Sequence, residues 1–158
     1  MTVSFAVPTG HPEAASRYRR TPAEKADAEL AWARPDRAVF AAGACHVLAY
    51  RFVERMPEAG FGLVRMRPAD VEVAYHVFST NGTIAFDFNG FSDDAALRTV
   101  NSNAMLADDP AWRAQFDVID DDLETFCRLN GCRPPSSYPG DIVARADRYI
   151  ERLLADDR

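Results

Sequence analysis

Between Cys45 and Arg55 the apolar residues Leu48 and Phe52, with Ala49 or Val53 beside them, recur at the spacing of one helix face. Gly43-Ala44 gives this run a small-residue approach, and Pro57 and Gly60 close it. Downstream the period becomes two. Val73, Tyr75 and Val77 alternate with their neighbours, and Ile84, Phe86 and Phe88 do the same, which predicts strands over 62–66, 71–79 and 83–88. Asn81-Gly82 between the last two is a strong hairpin signal and favours a two-residue loop. The segment up to Ala33 reads as mostly helical, with Thr21-Pro22-Ala23-Glu24 as a capping box and Pro35 as a stop; 36–44 leads into the Cys45 helix. Beyond the strands, Asn89-Gly90-Phe91-Ser92 ends the sheet. Ser92 and Asp93 cap a short helix toward Val100, and 101–110 reads as loop. Two further helices follow, over about 120–129 with Gly131 as stop and over 141–154.

This order implies an α+β fold, a small antiparallel sheet flanked by helices. The 158 residues suit a single domain, 1–158: an N-terminal helical segment (1–35), a central core (43–90) and C-terminal helices (91–158). The acidic run Asp120-Asp121-Asp122 complements the dipole at a helix start. Trp32 and Trp112 read as packing residues.

A formal charge of −6 argues against a general nucleic-acid or anionic-membrane binder, both of which need a basic footprint. The cluster Arg17-Tyr18-Arg19-Arg20 is a local exception that reads as a solvated face. No stretch has transmembrane length, and Met1 to Pro8 lacks the charged and apolar regions of a leader, so the expected location is cytoplasmic. Three cysteines fit a reducing compartment. Cys127 and Cys132 lack two further ligands at zinc spacing, so no metal is expected.

The main chemical signal is the order Cys45, His76, Asp87. A thiol in the first turn of a helix feels the positive end of the dipole, which favours thiolate. With Asn81 and Gly82 alone in the loop, Thr80 faces Thr83 and His76 lands opposite Asp87, on the face away from the apolar stripe. Imidazole and carboxylate are then within hydrogen-bond reach. His46 follows Cys45, but consecutive helical residues point about 100° apart, which makes His76 the better base. Taken singly, a cysteine near an apolar helix and a histidine in a strand also suit plain core positions; the combination points to a catalytic triad of Cys45, His76 and Asp87.

Gly43-Ala44-Cys45-His46, Tyr75-His76-Val77-Phe78 and Ala85-Phe86-Asp87-Phe88-Asn89-Gly90 together resemble the papain-like cysteine-hydrolase superfamily, particularly its transglutaminase-like and arylamine N-acetyltransferase branches. The resemblance spans 43–90, under a third of the chain. It implies that Cys45 attacks an acyl or amide carbonyl, that His76 takes and returns the proton, that Asp87 fixes the imidazole, and that the Cys45 N–H serves an oxyanion hole. The approach Ala41-Ala42-Gly43-Ala44 lacks the Gln that papain-like peptidases place upstream. It also lacks the Arg-Gly-Gly of the acetyltransferases, which counts against acetyl-coenzyme A chemistry. Val77 and Phe78 stand where the transglutaminase-like branch often has Trp.

The expected function is therefore a thiol-dependent hydrolase or acyltransferase of peptidase, deamidase or transglutaminase type, acting on a protein or peptide substrate without a cofactor. The alternative is a catalytically inactive papain-like domain that binds a protein or peptide partner. Substrate, acceptor and oligomeric state are not written in the sequence.

Overall fold

The computed structural model describes residues 5, 6, 8 and 10–156. The expectation that the opening stretch is no leader falls mainly outside these residues. Helices and a five-stranded antiparallel sheet make an α+β fold, with strand order β4-β3-β2-β1-β5. The strands are β1 (Gly62–Pro68), β2 (His76–Thr80), β3 (Ile84–Asp87), β4 (Gly90–Asp93) and β5 (Ala114–Ile119).

A 3₁₀ turn, Ala15–Tyr18, and the short helices α1 (Pro22–Ala26), α2 (Ala28–Trp32) and α3 (Asp36–Ala41) precede the central helix α4, Cys45–Arg55. The capping box forms as its sequence dictates: Thr21 accepts from the Glu24 N–H, and the Glu24 carboxylate accepts from the Thr21 N–H. After the sheet's first four strands come α5 (Asp94–Asp108), α6 (Leu123–Asn130) and α7 (Ile142–Asp156). Asp122 caps α6 through the Thr125 N–H, and Gly131 ends it in the left-handed region at φ 65°. Among the described residues no helix is long and apolar enough to cross a membrane.

Helix α4 lies across β2 and against α7, and its apolar face closes the largest core cluster. There Phe52 stacks on Phe86 with ring centroids 4.0 Å apart, and Phe40 stacks on Tyr149. Phe78 and Ala85 point the other way and meet Leu97 of α5. Both β2 and β3 are thus buried on both faces, the apolar face and the face that carries His76 and Asp87 alike.

Several expected boundaries move. The run 71–75 is not strand: Val71 and Val73 are exposed, and Arg65 and Arg67 hold the Glu72 and Val71 carbonyls in place of a ladder. Asn89-Gly90 turns the chain into β4 instead of ending the sheet, and 101–108 continues α5 instead of forming a loop. The C-terminal part, read as helices alone, contributes β4 and β5, the latter paired along β1.

The expected hairpin register is also corrected. Thr80 pairs with Ala85 and Ser79 with Phe86, so the loop residues are Gly82 and Thr83, one position further along than expected. The Asn81 carboxamide accepts from the N–H groups of Thr83 and Ile84, and the Asn81 N–H donates to the Ile84 carbonyl. Asn81 therefore closes the hairpin, and Gly82, at φ 94°, takes the first central position as a type II′ loop requires. A one-residue shift of the loop moves the pairing by two residues, so the side chains keep their faces.

Candidate active site

The Cys45 side chain sits at the head of α4, half-buried between two cavities. One, of about 220 Å³, is lined by Cys45, His46, Tyr75, Cys132, Arg20 and Arg133 among others. The smaller, of about 70 Å³, lies toward Ser16 and Arg19. The residue before the helix is Ala44, which offers no capping side chain, so the first-turn N–H groups have no side-chain acceptor. They face the end where a developing negative charge is favoured.

His76 is fully buried at the start of β2, opposite Met66 of β1. Its Nε2–H donates to Asp87 Oδ2 at 3.0 Å. In the pairing observed, Asp87 falls across from Phe78, so His76 reaches it along the diagonal of the two strands. The other carboxylate oxygen of Asp87 accepts from the Asn89 N–H at 2.8 Å and from Asn89 Nδ2 at 3.0 Å. Asn89 is held in turn: its Oδ1 accepts from the Glu13 N–H and from Arg37, both at 2.9 Å. The neighbouring Phe88 carbonyl accepts from the Tyr149 hydroxyl at 2.5 Å. The tight turn after β3 thus fixes the carboxylate from several parts of the chain.

With Nε2 committed to Asp87, the buried Nδ1 of His76 is left without a hydrogen-bond partner among the described residues. Burial opposes ionisation of Cys45, but hydrogen bonding and charge from His46 and His76 outweigh it and bring the thiol down to about 5. Burial likewise opposes a charged His76, and Asp87 together with Cys45 reverses the balance and raises it. Cys45 is thus coupled to both His46 and His76, and charge on either imidazole favours the thiolate. Cys132 faces the same cavity, yet burial, followed by the charges of Cys45 and Cys127, pushes it up to about 12. One thiol of the cavity is ionised at neutral pH and the other is not.

Of the three residues expected from the sequence, the structure joins His76 and Asp87 directly by a hydrogen bond, and Cys45 feels the charge of His76. The structure also adds His46, which the helical angle alone had set aside. The His46 ring is buried, its Nε2–H donates to the Arg133 carbonyl at 2.8 Å, and it interacts with both Cys45 and Cys127. Asn89, Glu13, Arg37 and Tyr149 were not singled out. Only Asn89 left a trace in the sequence, as an Asx residue two places after Asp87. Comparison with protein-family models, curated proteins and solved structures found no match to this chain.

Proposed function

We propose that this protein is a thiol-dependent hydrolase or acyltransferase that acts on an amide or acyl bond through Cys45, His76 and Asp87, on a papain-like core of the transglutaminase-like kind. The observation that carries the reading is the buried His76–Asp87 hydrogen bond, 3.0 Å long, behind a helix-head thiol drawn toward thiolate. Burying an imidazole–carboxylate pair costs desolvation that good geometry and further hydrogen bonds must offset, and the Nδ1 left unpartnered in that pair is a free site for proton transfer.

In this reading the Cys45 thiolate adds to the substrate carbonyl carbon, and the carbonyl oxygen takes the negative charge beside the Cys45 N–H. The imidazolium of His76 gives its Nδ1 proton to the leaving amine as the C–N bond breaks, leaving a thioester. Water or an amine acceptor then attacks the thioester while His76 takes up its proton, and the sulfur departs as thiolate. Asp87 accepts from Nε2–H throughout and so keeps Nδ1 free for proton transfer.

A thiol-directed acyl probe tests the proposal. It should label the wild type at a single site and leave Cys45→Ala unlabelled, while His76→Asn slows acylation by about 10²- to 10⁴-fold. Equal labelling of wild type and Cys45→Ala, through Cys127 or Cys132, would reject it.

A further inference from the structure

The chain carries 24 acidic and 18 basic residues, yet the larger cavity beside Cys45 has two arginines in its wall, Arg20 and Arg133, and no carboxylate. Neither guanidinium has an ion-pair partner among the described residues, whereas most arginines of this protein do. The nearby Arg34 is already committed, to the Ala31 and Ala42 carbonyls and to Glu24. Arg133 is held in place. Its carbonyl accepts from His46, and its guanidinium lies 5.1 Å from the centre of the Tyr138 ring. The Tyr138 hydroxyl donates in turn to the Gly43 carbonyl at 2.5 Å, two residues before the nucleophile. Arg20 reaches the cavity from the opposite end of the sequence, just before the Thr21 cap.

We infer that Arg20 and Arg133 select an acyl donor bearing a carboxylate within a few bonds of the scissile carbonyl. This rests on Cys45 being the nucleophile and names the substrate class of that site. Guanidinium groups suit the task because their planar N–H fork matches a carboxylate and stays charged at every working pH. The cavity has room for a short acidic group beside the sulfur.

Paired alkylation of Cys45 by iodoacetate and iodoacetamide, quantified by peptide mass spectrometry, tests the inference. The two reagents differ by one carboxylate placed next to the reacting carbon. Their rate ratio at one thiol cancels the thiolate fraction, so the ratio remains readable even at a slow thiol. A slow Cys45 would count against the nucleophile, and an unbiased ratio against the arginines. The folded wild type should favour iodoacetate relative to the urea-unfolded chain. The ratio should fall about fivefold or more at low salt in R20Q/R133Q. R20K and R133K should restore most of it, and R148Q, on α7 outside the cavity, should leave it unchanged. If R133Q does not fold, R20Q and R133K carry the comparison. A ratio equal in wild type and R20Q, or equal in folded and unfolded wild type, overturns the inference.

Discussion

His76 and Asp87 meet across a diagonal of two antiparallel strands, joined Nε2 to Oδ2 at 3.0 Å with neither side chain open to solvent. A carboxylate in this position does two things: it satisfies a buried N–H, and it decides which ring nitrogen is left free. Removing it therefore affects stability and chemistry separately. Asp87→Ala should cost about 3–5 kcal/mol in urea unfolding, because it strands a buried imidazole. Asp87→Asn keeps an acceptor for His76 and should unfold nearer the wild type while still losing acyl transfer. Equal stability of wild type and Asp87→Ala would contradict the buried pair.

The low pKa of Cys45 sets a pH window. The thiol is lowered to about 5, so thiolate is present above that pH and is lost as pH falls through it. Alkylation of Cys45 by iodoacetamide should therefore rise with a midpoint near pH 5 and stay level through neutrality. Cys132, raised to about 12, should stay slow across the same range. Acyl transfer should decline again on the alkaline side, where His76 loses the proton it donates. A single midpoint near pH 9 for Cys45 would remove its coupling to the imidazoles from the account.

His46 and His76 both act on the thiol but are not equivalent. His46 is tied to the Arg133 carbonyl and, among the described residues, has no carboxylate to orient it. His46→Asn should move the Cys45 midpoint upward yet keep measurable acyl transfer at alkaline pH. His76→Asn should lose acyl transfer at every pH. The two pH profiles, recorded side by side, distinguish a group that tunes the thiol from one that shuttles the proton.

Asn89 positions Asp87 without touching Cys45. Its backbone and side-chain N–H groups both reach Asp87 Oδ1, and the carboxamide also binds Glu13 and Arg37. Asn89→Ala should cost about 1–3 kcal/mol, since it leaves buried polar partners unmatched. It should also shift the alkaline limb of the acylation profile, which a purely structural loss would leave in place.

Gly82 needs a positive φ that other residues adopt at a cost. Gly82→Val should destabilise the protein by about 1–2 kcal/mol in thermal or urea unfolding. It should barely change the rate per folded molecule, because the loop lies at the far end of the hairpin from His76.

The sequence carried the meeting of His76 with Asp87 further than it carried the register. Hydrophobic alternation assigned faces, and faces repeat every two residues, so a two-residue slip placed His76 and Asp87 on the correct side with the wrong partners. Which side chain closes the turn, Asn81 through its carboxamide, is a matter of hydrogen-bond competition that composition does not reveal. Strand β5 was invisible for a related reason: Ala114–Ile119 is a mostly half-exposed edge strand with weak alternation, and pairing with β1 makes it a strand. Residues 71–75 erred the opposite way, with a valine alternation that arginine side chains override. The environment of Cys45 was half legible. Helix-head placement could be read locally, but Arg133 and His46 come together only after the chain has folded back.

That return has a consequence for the order in which the site is assembled. The Arg133 carbonyl lies 87 residues from the His46 ring it accepts from, and Tyr149 lies 61 residues from the Phe88 carbonyl. During synthesis the stretch from Cys45 to Asp87 emerges well before these partners. The surroundings of Cys45 and Asp87 are therefore complete only once Arg133 and Tyr149 have folded back onto them.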